Sequence, residues 1–509
     1  MIWTTKLSTP QSGLVRVLRV GIAAVSSLVI LLFLYTALRR LHYPYELEQL
    51  EGYMFLSSLR VFHGQSVYPH PSLAFIPYMY PPGYYYAAAA IGKLMGMSIS
   101  ALRMTSILST LGCFAAIYAL VWTEVRKHLP AIAAAGLYAS CYTICQEWFD
   151  LGRLDSFFVL LVLLAMFATR RMHPVIAALL WALAFQTKQS ILPVAFVMLC
   201  CNWREIRRTL AGVITLALAA GGSVLWLNRA TQHWYSFYVF TIPKANADIK
   251  LRAAFIFWPT DLLRPLALAL IVIVAAILFT RPSLQSRATR FYLTSASLIP
   301  LFWWIRTHSG STVNSLMPVY ALLAILFGIA WSRLMDVAAS IPTAFTQPAL
   351  LLLLFAVFSQ EAAGIYNPGD YLPPASTRAS IQAVVAQVQS LPGDVYVSEH
   401  PYYAWLSGKP AHADLVSLHD AMRAATPART ELRTEMETAI EDHAFTAIVL
   451  DQPASGEQMD TILGKEWTKT HDWRSEYTLQ QNITGVVPQT KPNWIMARCL
   501  PGTTVSCPQ

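Results

Sequence analysis

The stretch from Val20 to Phe55 reads VGIAAVSSLVILLFLYTALRRLHYPYELEQLEGYMF. Its first half belongs to an apolar run from about Leu14 to Leu38, which is long enough to cross a bilayer as one helix. No small-residue cleavage pattern follows this run, so we expect the helix to remain in the protein. The second half is polar and contains Glu46, Glu48 and Glu51. The stretch therefore predicts a membrane helix followed at once by an acidic outer loop.

The composition of the whole chain predicts many more membrane spans. Of the 509 residues, 55% are apolar and only 13% are charged, which is too hydrophobic for a soluble protein of this length. The net charge of +9 would suggest nucleic-acid binding in a soluble protein. Here much of the basic charge falls in short connectors between apolar runs, where it sets membrane orientation. We therefore expect membrane lipid as a partner and no nucleic acid.

We predict eleven transmembrane helices, although some of the runs are shorter than the ~20 residues that an upright helix needs. The runs cover residues 16–38, 101–123, 130–147, 155–170, 174–187, 188–202, 208–228, 261–280, 290–306, 312–332 and 345–362.

The basic residues predict the orientation, because cytoplasmic loops carry an excess of Lys and Arg. If the N-terminus is cytoplasmic, every second connector should be basic. Five connectors agree, with Arg126 and Lys127; Arg170 and Arg171; Arg204, Arg207 and Arg208; Arg281, Arg287 and Arg290; and Arg333. Residues 39–100 and everything after about 363 then lie outside. If the segment from Gly83 to Met97 were counted as a span, all later basic connectors would lie outside. We therefore predict a surface or re-entrant helix there, and another such helix from Glu46 to His63.

The chain divides into two predicted domains. Residues 1–365 form a transmembrane domain with a long first outer loop at 39–100, and residues 366–509 form a soluble extracytoplasmic α/β domain. After Tyr366 the sequence becomes polar and Pro-rich, with short strands predicted in DVYVSE, TAIVLD and NWIMARC and amphipathic helices at 376–390 and 429–443. The predicted fold class is an α-helical polytopic protein of the inner or plasma membrane with this added domain.

Two outer loops concentrate carboxylates. In a helical first loop, Glu48 and Glu51 lie on one face. Carboxylates there can act as a general base or hold a divalent cation, although a solvated helix face is an equal alternative. The second outer loop, QEWFDLGRLDSFF, contains Glu147, Asp150, Arg153 and Asp155. Its Asp155 also fits a helix N-cap. Because both loops face the same side, we predict a shared site with catalytic carboxylates at Glu51, Glu48, Asp150 and Asp155.

Several basic side chains are predicted on the outer side of the membrane, where the excess of Lys and Arg in cytoplasmic loops does not explain them. Lys188, in AFQTKQSIL, falls at an outer turn, where its ammonium can pair with a lipid phosphate or simply reach the interface. The same alternatives hold for Arg40 after the first span and for Arg306 and His308 in WWIRTHSGSTVN. We predict an anion site at the outer headgroup level, formed by Lys188, Arg153, Arg306, His308 and Arg40.

The order of these motifs resembles that of the GT-C superfamily, roughly over residues 15–365. The motifs are the acidic first loop, the Tyr-Pro-Pro-Gly-Tyr run from Tyr80 to Tyr84, the Asp-Leu-Gly-Arg-Leu-Asp run, the Thr-Lys-Gln turn and the Ser-Gly-Ser-Thr-Val-Asn-Ser-Leu-Met-Pro segment. Within GT-C the chain is most similar to family 39, the protein-mannosyltransferase and aminoarabinose-transferase-like enzymes of bacteria.

This resemblance implies an enzyme that uses a polyprenyl-phosphate sugar, with a first-loop carboxylate as base and Lys188 near the lipid phosphate. The family often has an adjacent Asp-Glu pair where this chain has separated glutamates, so the base is Glu51 or Glu48. Tyr80 and Tyr84 match a first-loop landmark and are predicted to bind substrate.

We therefore expect a GT-C type hexosyl- or pentosyltransferase of cell-envelope glycans. It would move a sugar to a hydroxyl of a lipid, glycan or protein at the outer face, by direct displacement with inversion. The alternatives are a transporter or flippase of lipid-linked sugars, a polymerase or ligase acting on a diphosphate-linked glycan, and a non-catalytic scaffold. Transporters usually have repeats and ionisable residues near the midplane, whereas the charges here gather at one surface.

The sequence leaves the need for a cofactor open. A divalent cation would be held by Glu48, Glu51 and Asp150. His400, His412 and Asp414 do not have the spacing of a known metal site. Cys499 and Cys507 would close a small disulfide loop in an oxidising compartment.

Overall fold

The structure is a computed structural model that describes residues 13–201, 203–340, 343–451, 453–463, 477–480 and 494–498. The predicted disulfide between Cys499 and Cys507 lies outside these residues. Fifteen helices precede residue 366: α1 Gly13–Leu41, α2 Gln49–Phe62, α3 Gly83–Met95, α4 Ile99–Val125, α5 His128–Ile144, α6 Leu154–Arg170, α7 Pro174–Phe185, α8 Gln189–Cys200, α9 Ile206–Ala230, α10 at 234–245, α11 Leu251–Thr280, α12 Arg287–Ser295, α13 Leu298–Arg306, α14 Val313–Ala338 and α15 Thr343–Ala362.

Six of the described helices are long and apolar enough to cross a membrane: α1, α4, α9, α11, α14 and α15. The other predicted spans also fall on helices, but α5, α6, α7 and α8 are shorter, and the run at 290–306 is divided between α12 and α13. The structure therefore supports a polytopic membrane protein without confirming eleven spans. The two helices predicted in the first outer loop are α2 and α3.

The membrane helices pack around α14, which contacts α4, α5 and α11. In a bilayer, close helix packing depends on small residues, because lipid tails are as apolar as the side chains. Gly328 of α14 shows this, since a Cβ there would lie 2.8 Å from the carbonyl oxygen of Pro130 on α5. The Ala-rich sequence of α5 presents a similarly low profile, with Ala131, Ala133 and Ala134 fully buried.

Among its described residues the C-terminal part has five more α-helices, α16 Ala375–Ser390, α17 Pro401–Leu406, α18 Leu415–Arg423, α19 Pro427–Glu441 and α20 Pro453–Leu463. Its four strands are β1 Val395–Val397, β2 Ala447–Leu450, β3 Tyr477–Gln480 and β4 Trp494–Arg498. The sheet order is β1-β2-β4-β3, with β1 and β2 parallel and β4 antiparallel to both neighbours. The predicted strands are thus β1, β2 and β4, and the predicted helices are α16 and α19.

The parallel pair β1 and β2 sets up part of the site described below. His400 follows β1 and Asp451 follows β2, so both residues lie at the same edge of the sheet, where parallel strands end together. α17 begins directly after His400 and packs against α2 of the first outer loop. The C-terminal sheet edge therefore faces the acidic loop.

Candidate active site

A cavity of ≈ 250 Å³ lies between the first outer loop, the end of α1 and the C-terminal part. Aromatic rings from the first outer loop and from the C-terminal part line it, namely Tyr43, Tyr371 and Tyr403. The acidic residues in its lining outnumber the basic ones: Glu46, Glu48, Glu147 and Asp370, against Arg40 and His400. A cavity of mixed charge and aromatic rings suits a polar, ring-shaped ligand.

Arg103, near the start of α4, is the centre of the first-loop structure. Its side chain is fully buried and donates two parallel hydrogen bonds to the Glu51 carboxylate, at 2.7 Å to Oε1 and 2.6 Å to Oε2. It also donates to the backbone carbonyls of Arg40, Tyr43 and Tyr45. Bidentate charge-assisted pairs are among the strongest hydrogen bonds in proteins. Arg103 therefore fixes the path of the chain from α1 into α2.

Glu51 has no free acceptor position for a substrate. Besides Arg103, it accepts hydrogen bonds from the backbone N–H of Leu47 at 2.9 Å and of Gly152 at 2.7 Å, and it is fully buried. Burial alone would raise the pKa of Glu51, but Arg103 and the two N–H groups lower it below its usual value. A stabilised, enclosed carboxylate of this kind is suited to holding the loops together.

Glu48 is the more accessible of the two predicted bases. It caps α2 by accepting a hydrogen bond from the N–H of Leu50, and its Oε2 lies 2.8 Å from Nη1 of Arg153. Its side chain is 24% exposed, and it lines the cavity. Burial raises the pKa of Glu48, although Arg153 opposes the shift. Glu48 thus combines access with an elevated basicity, both of which a general base requires.

Arg40 and Asp150 form a third buried pair beside the cavity. Nε of Arg40 lies 3.2 Å from Oδ2 of Asp150, and the Tyr142 hydroxyl donates to Oδ1 of Asp150 at 3.0 Å. Burial raises the pKa of Asp150 despite Arg40. Arg40 also lines the cavity, whereas Asp150 does not. Of the pair, the guanidinium is therefore the group that a ligand would meet.

Lys188 and Asp155 form a separate pair. Nζ of Lys188 lies 3.3 Å from Oδ1 of Asp155 and 5.7 Å from the ring centre of Phe158. Asp155 is two residues from Arg153, so the pair adjoins the Glu48 contact through that arginine. Neither Lys188 nor Asp155 lines the cavity. Arg153 thus joins the second outer loop to the first by its contact with Glu48. Lys188 lies beyond this contact and outside the cavity lining.

Arg306 and His308 lie in another cluster. Nε of Arg306 is 3.0 Å from Oδ2 of Asp261, and its Nη1 donates to the carbonyl of Ser311. His308 is partly buried, and its Nδ1 lies 2.9 Å from the carbonyl oxygen of Trp304. In the part of the chain that the structure describes, neither residue lines the cavity.

The two predicted tyrosines also lie outside the cavity lining. Tyr84 is 1% exposed, and its hydroxyl donates to the carbonyl of Leu102 at 3.0 Å, which gives it the contacts of a core residue. Tyr80 is partly buried, and its carbonyl accepts from the Tyr68 hydroxyl.

The geometry does not fit a divalent cation shared by Glu48, Glu51 and Asp150. Each carboxylate is paired with its own arginine, namely Arg153, Arg103 and Arg40 respectively. Among the described residues no group of three His, Cys, Asp or Glu side chains is placed to hold a metal. Three neighbouring guanidinium groups would also repel a cation.

The comparisons with known proteins agree with this architecture. The chain matches the family model described as Glycosyltransferase family 87 over residues 78–305. The structure of ArnT from Cupriavidus metallidurans bound to undecaprenyl phosphate is 13% identical, with a TM-score of 0.60 over 95% of this chain and 99% of that chain. ArnT from the same organism in the apo state is 15% identical, with a TM-score of 0.53 over 85% and 94%. The chain has the fold of ArnT.

The family match indicates a glycosyltransferase, and the six long apolar helices indicate that it lies in a membrane. Family 39, which the sequence motifs resemble, is not confirmed, because the matching family model is that of family 87. No curated protein matches the chain. At these identities the resemblance to ArnT establishes the fold alone.

Three residues of this candidate site were not predicted from the sequence. Arg103 lies inside the apolar run of α4, where an arginine is costly and usually has a partner, so this signal was available. His400 and Asp451 come from the C-terminal part, and no local pattern connects them with Glu46.

Gly52 is tightly enclosed where the first loop meets the C-terminal part. A Cβ at this position would lie 1.8 Å from Oε1 of Glu46 and 2.5 Å from Cβ of Tyr402. We expect Gly52→Ala to destabilise the protein by about 1–3 kcal/mol, because the loop must shift to make room. Thermal unfolding in detergent measures this. The control is Gly221→Ala in α9, where a Cβ would meet nothing within 4 Å; equal melting temperatures of the two variants would contradict the prediction.

Proposed function

We propose that this protein transfers a sugar from a polyprenyl-phosphate donor to an acceptor hydroxyl of a lipid, glycan or protein at the outer face of the membrane. The observation that carries the proposal is the cavity in which the partly exposed Glu48 carboxylate and the Arg40 guanidinium share one wall. An acceptor hydroxyl needs a base and a departing lipid phosphate needs a cation, and the cavity offers one of each. The undecaprenyl phosphate held by ArnT, which has the same fold, also supports a lipid-linked donor.

Glu48 is the general base in this proposal, and Glu51 has a supporting role. The reason is access, since Glu48 faces the cavity, whereas the oxygens of Glu51 are taken by Arg103 and two backbone N–H groups. Asp150 and Asp155 support the site as counter-ions of Arg40 and Lys188. Arg40, with Arg153 and Lys188 on the adjoining side, stabilises the departing phosphate.

The reaction we propose is one direct displacement. The acceptor oxygen forms a bond to the anomeric carbon as the bond from that carbon to the phosphate oxygen breaks. Glu48 takes the acceptor proton, and the polyprenyl phosphate leaves with the bonding electron pair. A single displacement inverts the anomeric configuration.

We also propose the orientation that the five basic connectors favour, with the N-terminus in the cytoplasm and both the cavity and the C-terminal part outside. Charged groups of the site then face water at the headgroup level, where they cost little.

The test is an assay of the purified full-length chain in proteoliposomes with a panel of undecaprenyl-phosphate sugars and candidate acceptors. We expect release of undecaprenyl phosphate and, by mass spectrometry and NMR, a product with inverted anomeric configuration. Movement of an intact donor across the bilayer without loss of its sugar would instead identify a flippase. A product with retained configuration would contradict the single displacement.

Replacing Lys188 should weaken the interaction with the donor. Lys188 does not line the cavity, so its charge attracts the donor phosphate from beyond the wall. At about 10 Å and an effective dielectric constant of about 20 this attraction is about 1–2 kcal/mol, so we expect Lys188→Gln to raise the KM for the donor by roughly 5–30-fold. The matched control is Lys127→Gln, which breaks another Lys–Asp pair, with Asp336 at 2.6 Å, away from the cavity. Donor titrations of both variants measure the effect, and indistinguishable KM values would remove Lys188 from the site.

A further inference from the structure

His400 lies between two carboxylates that come from opposite ends of the chain. Its Nδ1 is hydrogen-bonded to Oε2 of Glu46 in the first outer loop, and its Nε2 lies 3.0 Å from Oδ2 of Asp451 after β2. The three side chains are 1%, 2% and 8% exposed. Buried charged groups of this kind are stable only when they are paired and hydrogen-bonded. They form a continuous chain from the acidic loop to the C-terminal sheet.

The segment that Glu46 belongs to also carries the proposed base. Residues 43–48 lead from α1 into α2, and Arg103 and Glu51 hold this segment on one side through the carbonyls of Tyr43 and Tyr45 and the N–H of Leu47. On its other side the charged contact is His400, with the Tyr402 hydroxyl donating to the carbonyl of Pro44. Glu48 is two residues beyond Glu46. The position of the base is therefore set from both sides.

We propose that His400 is a positioning residue of the active site, which holds the loop of Glu48 in place through the Glu46–His400–Asp451 chain and makes transfer depend on the C-terminal part. The inference rests on the proposed function, because Glu48 is the base there. His400 need not contact the sugar for this role, although it lines the cavity.

The protonation states follow from the surroundings. Burial disfavours the His400 cation, but Asp451 and Glu46 raise its pKa well above the usual value. Burial raises the pKa of Glu46 to about 7, and His400 opposes that shift. The other ionisable groups close to Glu46, His400 and Asp451 are those of Glu51, Glu399, Tyr403 and Asp414. Removing the imidazolium leaves Glu46 protonated up to a higher pH, so the acidic limb of a rate profile that needs the ionised Glu46 carboxylate moves upward.

The experiment compares four full-length variants in the proteoliposome assay over a pH series. His400→Gln removes the charge, and His400→Asn keeps a neutral donor near the position of Nδ1. Asp451→Asn removes the second carboxylate charge. His412→Gln is the control, since His412 also pairs with an aspartate of the C-terminal part, Asp394 at 2.9 Å, but does not line the cavity.

We expect His400→Gln to lower kcat by about 10–100-fold with the donor KM within about threefold, because a base displaced by roughly 1 Å loses rate more than binding. The acidic limb of the His400→Gln rate profile should move upward by at least about one pH unit. The rates of His400→Asn and Asp451→Asn should lie between those of the wild type and of His400→Gln. A His400→Gln enzyme that matches His412→Gln in rate and pH profile would overturn the inference, provided that Glu48→Gln has less than a tenth of the wild-type rate. If Glu48→Gln keeps more than a tenth of that rate, or if the wild-type protein transfers no sugar, the proposed role of Glu48 fails and the inference fails with it.

Discussion

Glu48→Gln should lower kcat by about 10²–10⁴-fold, the range that a general base usually contributes. The amide keeps an oxygen that can cap α2, where Glu48 accepts from the N–H of Leu50, so the loop should remain in place. Donor KM should therefore change little. Rates from the proteoliposome assay, together with a melting temperature close to that of the wild type, would show that the loss is chemical.

The control for this variant is Glu431→Gln, which alters a half-exposed carboxylate paired with His70. Its rate should equal that of the wild type. A Glu48→Gln enzyme with more than a tenth of the wild-type rate would contradict the assignment of Glu48 as base. In that case Glu46, which also lines the cavity, would be the next residue to replace.

Arg103→Met should be the most destabilising single substitution in the site. It leaves the Glu51 carboxylate buried without its cation and frees three backbone carbonyls, those of Arg40, Tyr43 and Tyr45. Breaking a buried ion pair from one side costs about 3–5 kcal/mol. We expect a lower melting temperature in detergent and the loss of transfer activity.

A double variant separates the charge effect from packing. Arg103→Met with Glu51→Gln removes both charges, so it should recover part of the stability lost in Arg103→Met alone. Arg39→Met is the control, because Arg39 is exposed at the end of α1 and, within the described part of the chain, its hydrogen bond goes to the Tyr35 hydroxyl at 3.1 Å. Arg103→Met with the melting temperature of Arg39→Met would contradict a structural role for the pair.

The sequence predicted where the helices lie better than which of them cross the membrane. Apolar runs marked α1, α4, α9, α11, α14 and α15, because a bilayer demands long apolar segments and this demand is visible locally. The shorter helices α5, α6, α7 and α8 also coincide with predicted spans, but their lengths do not fix whether they cross. The strands β1 and β2 were predictable from another local pattern, because each is a short apolar run between turns.

The sequence did not predict how the site residues pair. It grouped Glu48 and Glu51 by helical spacing, yet one lines the cavity and the other is enclosed by Arg103 from another helix. It joined Lys188, Arg306 and His308 by their shared membrane face, although Arg306 bonds Asp261 in a separate cluster. Such differences depend on contacts between residues far apart in the chain, and periodicity contains no information about them.

The pairing of Glu46 with His400 spans 354 positions, and this distance has a consequence for biogenesis. At 5–20 residues per second, a ribosome needs on the order of 20–70 s to make the intervening chain. During that time the first helices can already be inserted while their acidic loop waits for its partner. An incomplete polypeptide released before residue 400 would thus reach the bilayer with its first outer loop still lacking this partner, so the loop can be completed only after His400 has been made.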